Sequence, residues 1–99
     1  MSVMAELSIF PLDKGDSLSA HVAKAVAVIR DSGLPYQFGP MGTTLEGEWD
    51  QVMAVVGQCF EVMRQDSKRL YLTLKVDYRA GRENGLAAKT ASVAAKMGA

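Results

Sequence analysis

Between Arg69 and Arg79, the residues Tyr71, Thr73, Lys75 and Asp77 alternate with Leu70, Leu72, Leu74, Val76 and Tyr78. A strand with that period carries an aromatic ring, a hydroxyl, an ammonium and a carboxylate on one side and an apolar surface on the other. The same alternation sets Glu6, Ser8 and Phe10 against Ala5, Leu7 and Ile9, and Thr44 and Glu46 against Leu45 and Gly47. Aromatic side chains can stack on a planar ring, carboxylates can accept from an exocyclic amine or face a cation, and threonine hydroxyls can fix a ring's orientation. A small cationic heterocycle requires these groups. They are also the ordinary side chains of a solvated sheet.

Other chemistries find less support. Cys59 is the only cysteine, which excludes an intrachain disulfide and any multi-cysteine metal or redox motif. It shares the apolar face of a helical segment and reads as a buried small hydrophobe rather than a nucleophile. His21, the only histidine, sits at the edge of another helical stripe without an acid at motif spacing, and reads as a surface residue. The methionines recur at core positions as gap fillers.

The chain has 99 residues, 48% hydrophobic and 22% charged, with zero formal net charge. That length fits one domain over 1–99 with a thin core, and neutrality gives no general attraction to nucleic acid or an anionic membrane. Residues 1–63 carry three bases against eight acids, and residues 64–99 eight bases against three acids. The split reads as internal complementarity, because antiparallel pairing of the last strand with earlier ones mixes the two halves. Glu6, Pro11 and Asp13 interrupt any signal-like apolar run, and no stretch approaches the ~20 apolar residues of a membrane span. A cytoplasmic location is expected.

The elements that position these groups follow from periodicity. Met4 to Phe10 reads as a strand whose ladder ends at Pro11. Leu18, Val22, Ala25, Val26 and Ile29 make an amphipathic helix, with Asp16 or Ser17 as its cap and Gly33 and Pro35 as its stop. Tyr36 to Glu48 reads as a hairpin, with Gly39 and Gly42 free to adopt positive φ and Pro40 at the first central turn position. Its glycines exceed what a turn needs and also suit a bulge or a close backbone approach by a ligand. Trp49, Val52, Met53, Val56, Cys59, Phe60 and Met63 form the stripe of a second helix. The strand Arg69 to Arg79 follows, and residues 83–97 form an alanine-rich terminal helix, marginal alone and expected to dock on its own sheet, a partner subunit, or both. This order is α+β, a ferredoxin-like βαββαβ sandwich with an additional C-terminal helix. Its two main helices cover one sheet face and leave the polar alternates on the other.

The run Tyr36-Gln37-Phe38-Gly39-Pro40-Met41-Gly42-Thr43-Thr44-Leu45-Glu46-Gly47-Glu48, with Leu74-Lys75-Val76-Asp77-Tyr78-Arg79, resembles the small thiamine-binding protein family, formerly an uncharacterised conserved family. The resemblance covers nearly the whole chain, and Gly-Pro followed by Thr-Thr-x-Glu-Gly is its most specific part. It implies a ferredoxin-like fold, homo-oligomers (dimers or tetramers), and binding of thiamine or its pyrimidine portion without known catalysis. It points to Thr43, Thr44, Glu46, Lys75 and Asp77. Combined with the open-face argument, the expected ligand-binding set is Ser8, Phe10, Thr43, Thr44, Glu46, Tyr71, Lys75 and Asp77. Glu46 or Asp77 would meet the aminopyrimidine or thiazolium, Thr43 or Thr44 a ring nitrogen or amine, and Phe10 or Tyr71 would stack.

The expected function is sequestration or delivery of thiamine or a related compound, with no bond broken, no metal and no further cofactor. A small isomerase-like enzyme is one alternative, since fold does not fix function, but no nucleophile–histidine pair supports it. A structural or regulatory interaction protein is another. RNA binding is disfavoured because the central strands offer threonine, lysine and acids in place of paired aromatics.

Overall fold

In a computed structural model, residues 2–16, 18–81 and 84–98 are described. The elements follow the expected order: β1 (Val3–Pro11), α1 (Ser19–Asp31), β2 (Tyr36–Phe38), β3 (Thr43–Gly47), α2 (Trp49–Arg64), β4 (Leu70–Tyr78) and α3 (Gly85–Lys96). The strands form one antiparallel sheet in the order β2-β3-β1-β4. This is the split βαβ topology, with α1 and α2 on one face.

Alternation along β1 builds the core. Val3, Ala5, Leu7 and Ile9 are buried beneath the helices, joined by Leu45 of β3, Ala25 and Ile29 of α1, and Val52, Val55, Val56, Cys59 and Met63 of α2. The register sets Ala5, Leu7 and Ile9 opposite Val76, Leu74 and Leu72, and Glu6, Ser8 and Phe10 opposite Lys75, Thr73 and Tyr71. Both strands therefore present their apolar alternates to one side and their polar ones to the other, as the sequence pattern requires.

Several local expectations are corrected. The first turn of α1 has Leu18 at its cap position with no side-chain cap bond. Asp16 lies two residues before that position, and Ser17 lies outside the described residues. Gly33 does take the positive φ that ends α1, but Gly39 and Gly42 do not. Those two are small because of crowding. A Cβ at Gly39 would stand 2.9 Å from the Gly42 carbonyl oxygen, and one at Gly42 would stand 3.2 Å from the Leu7 carbonyl oxygen.

The start of α2 is fixed by a reciprocal capping box between Glu48 and Gln51, which satisfies orphan donors of the first turn. Trp49 and Phe60, expected on its core stripe, are exposed. Val55 occupies the core in their place, because the stripe facing the sheet runs through Val52, Val55, Val56, Cys59 and Met63. Strand β4 is an edge strand, so its apolar side is only partly covered and Leu72 and Val76 are each 39% exposed.

Candidate functional site

The hairpin is shorter than β1, and this mismatch opens a cleft. Pairing between β1 and β3 runs from Val3↔Gly47 to Leu7↔Thr43 and stops there, whereas β1 continues to Pro11 against β4. Past Leu7, β1 therefore has no strand neighbour on the hairpin side. The chain turns back at Gly39 to Gly42, closed by the Gly39 N–H donating to the Gly42 carbonyl at 2.9 Å. Helix α1 lies beneath the gap with Val22, Ala25 and Val26.

The result is a cavity of about 340 Å³ bordered by Leu7 to Phe10, by α1 from Leu18 to Ile29, and by Phe38 to Thr43 of the hairpin. Its walls are mostly aliphatic and aromatic. Among the expected ligand residues, Ser8, Phe10 and Thr43 border it. Thr43 pairs with Leu7 and so faces the helix side of the sheet, 4% exposed, rather than sharing a face with Thr44. Leu7, Ile9, Val22, Val26, Phe38 and Met41 also line the cleft. Sequence reasoning assigned them to core or turn, and the one signal of an approach in this region was the excess of hairpin glycines.

The remaining expected residues stand on the open face, in cross-strand rows. Phe10 and Tyr71 stack at 5.6 Å between ring centroids. One row on, Ser8 faces Thr73, and beyond it Thr44 and Lys75 flank Glu6. The Lys75 ammonium pairs with the Glu6 carboxylate at 3.0 Å. In the last row Glu46 and Asp77 flank Met4.

Both carboxylates of that last row are engaged by α3. Glu46 is 4% exposed and accepts from the Gly85 N–H at 2.7 Å, the Leu86 N–H at 3.2 Å and the Ser2 hydroxyl at 3.0 Å. It thus caps the first turn of a helix 39 residues downstream, where orphan N–H groups and the positive end of the dipole favour an anion. Asp77 pairs with Lys89. Charges that looked available from the sequence are in this way satisfied within the chain, which a charge facing a protein surface needs.

Elsewhere the titratable groups serve structure. The Asp13 carboxylate accepts from the Lys68 N–H at 2.8 Å, which holds its pKa below the ordinary value. Asp66 is lowered chiefly by its hydrogen bond from Lys24. Cys59 is fully buried, donates to the Ala25 carbonyl, and burial pushes its pKa up to about 11. A thiol so held is not a nucleophile. No group of three or more histidine, cysteine, aspartate or glutamate side chains gathers at metal-binding spacing among the described residues. No helix among them is long and apolar enough to cross a membrane.

Comparison with known proteins places this geometry among relatives. The model of a family described as thiamine-binding protein matches residues 5–94. A UPF0045 protein of Mycobacterium tuberculosis is 39% identical over 94 residues, spanning 94% of this chain and 92% of its own length. The crystal structure of a hypothetical protein from Methanocaldococcus jannaschii superposes with a TM-score of 0.87 at 34% identity, covering 94% of this chain and 96% of that one. A Thermotoga maritima structure described as a putative thiamine biosynthesis/salvage protein superposes with a TM-score of 0.79 at 27% identity, covering 91% and 98%.

Proposed function

The chain belongs to the thiamine-binding protein family, and from that premise we propose that it binds thiamine or a related aminopyrimidine compound reversibly in the cleft between α1, β1 and the hairpin, for sequestration or delivery. The observation that carries the reading is the cleft itself. Its volume of about 340 Å³ falls within the range of small-molecule sites, and a mostly apolar wall with a few placed polar groups is their usual composition. The buried Thr43 hydroxyl and the free edge of β1 supply the polar groups, and Phe38 and Phe10 the aromatic surface. Glu6, whose side chain runs beside Gly42, stands on the open face with its carboxylate paired to Lys75 and does not border the cleft. Thr44, Glu46, Tyr71, Lys75 and Asp77 do not border the cleft, so the ligand set proposed here keeps Ser8, Phe10 and Thr43 from the sequence expectation.

Nothing in this reading requires a bond to break. A cytoplasmic homo-oligomer, dimer or tetramer, is the assembly proposed with it, supported by the exposed apolar side of β4. Calorimetric titration of the intact protein with thiamine is expected to give saturable binding near one ligand per chain. Thr43→Val should weaken binding by roughly three- to tenfold, the worth of about one net hydrogen bond. Val26→Trp should abolish binding by filling the cleft while leaving the circular dichroism spectrum intact. Absence of saturable heat with the wild-type protein overturns the proposal.

A further inference from the structure

Met41 combines two properties that no other described methionine shares. It is 85% exposed, and it borders the cleft, where it supplies the only sulfur atom among the lining residues. Met63 is buried in the core, and Met4 and Met53 are partly buried. Met97 is 77% exposed but stands past the end of α3 and does not border the cleft. The turn that carries Met41 has little room to move. Its closing hydrogen bond joins Gly39 to Gly42, Pro40 fixes its own φ, and a Cβ at either glycine would press on a carbonyl oxygen of the turn or of β1. Adaptation at this end of the cleft therefore belongs to the Met41 side chain, whose three rotatable bonds and polarisable thioether let it settle against whatever fills the opening.

Resting on the thiamine reading above, we propose that Met41 is a reversible oxidation site that controls occupancy of the cleft, with a hydroperoxide as the oxidant. With hydrogen peroxide, a sulfur lone pair attacks one peroxide oxygen, and the S–O bond forms as the O–O bond breaks. The departing hydroxide takes the proton of the transferred oxygen and leaves as water. Sulfur gives up two electrons and the peroxide receives them. The sulfoxide is polar and chiral where the thioether was apolar and flexible. Its oxygen must either lose water against a wall that includes Val22, Val26 and Phe38 or hold the side chain out in solvent and leave that wall uncovered, and both weaken a bound ligand. A methionine sulfoxide reductase restores the thioether, with two thiols oxidised to a disulfide and the oxygen released as water.

The test treats the intact protein with hydrogen peroxide, follows each methionine by peptide mass spectrometry, and titrates thiamine before treatment and again after the oxidant is removed. Met41 and Met97 should oxidise fastest and Met63 slowest, and saturating thiamine should slow Met41 without slowing Met97. The oxidised wild type should bind thiamine roughly three- to tenfold more weakly, the scale of setting one polar group against an apolar wall. Incubation with a methionine sulfoxide reductase and dithiothreitol should restore its affinity. Met41→Leu, whatever its own starting affinity, should lose nothing further on oxidation, and Met97→Leu should respond as the wild type does. Met41→Gln, polar and of similar length, should bind as weakly as the oxidised protein with no peroxide added. If the untreated wild type fails to bind thiamine, the functional reading falls and this control with it. If thiamine binds but Met41 oxidises no faster than Met63, or the oxidised protein binds equally well, or Met41→Leu loses affinity on oxidation as the wild type does, control by Met41 is wrong and cleft binding of thiamine stands.

Discussion

Cys59 shows how burial of a single side chain becomes a dependence on pH. Its thiol is fully buried, donates to the Ala25 carbonyl, and is pushed from the ordinary 9.0 to about 11. Above pH 9 the unfolded chain loses this proton first, while the folded chain keeps it until near pH 11. The unfolded state then binds fewer protons, so the stability this thiol contributes is intact below pH 9 and declines as pH rises through the window from about 9 to 11. Urea unfolding at pH 8 and pH 10.5 should show a larger loss for the wild type than for Cys59→Ala, although the alanine variant starts less stable because of the space it leaves. An equal loss in both would place the thiol in a better solvated environment than the fold gives it. Burial of Cys59 was legible from its place on an apolar stripe. The role of Gly39 and Gly42 was not, because a hairpin glycine can answer either to a positive φ or to a close neighbour, and only the approach of the Gly42 and Leu7 carbonyls distinguishes them.

Among the elements, α3 depends most on a single side chain. Beyond its first turn it is exposed along its length, and Glu46 supplies the acceptor for the Gly85 and Leu86 N–H groups. Glu46→Ala would leave those donors without the carboxylate beside a buried backbone, at a cost of about 1–3 kcal/mol. The expected outcome is a lower melting temperature and faster exchange of the Gly85 and Leu86 amides, with the β1–β4 amides still protected near the melting-corrected level. Glu46→Gln, which retains one acceptor oxygen, should recover part of the effect. Unchanged exchange at Gly85 and Leu86 in the alanine variant would mean that α3 is held by other contacts. Strand alternation put Glu46 on the open face, and that was right. Periodicity could not show that a helix start far along the chain would settle on the carboxylate, since cap partners distant in sequence leave no local pattern. The cleft was hidden for a related reason. It arises from unequal strand lengths, and the end of pairing at Leu7 depends on where the hairpin turns in space.

At the scale of the molecule, the sheet order leaves β4 as a nine-residue edge with both faces partly open. Element order alone gave this topology, because strand, helix, hairpin, helix, strand has few compact solutions. The extent of cover on β4 was not legible, since alternation says which side is apolar and not whether a helix reaches it. On the helix side of β4, Leu72 and Val76 are each 39% exposed, and Tyr71 of the open face and Tyr78 at the strand's end are each 55% exposed. A long unpaired edge flanked by exposed apolar side chains is a template for pairing unless something covers it. The proposed homo-oligomer meets that need when a second copy shields this strand. Light scattering should then give the wild type a mass that is a multiple of 10.7 kDa. Val76→Lys should shift the particle toward the single-chain mass, because the ammonium would have to be desolvated at the contact. In the isolated chain the same lysine can lay its stem along the sheet and keep its head in water, so the circular dichroism spectrum should be retained. A wild-type particle of single-chain mass would remove the oligomer from the proposal, whereas an unchanged larger mass in Val76→Lys would move the contact away from β4.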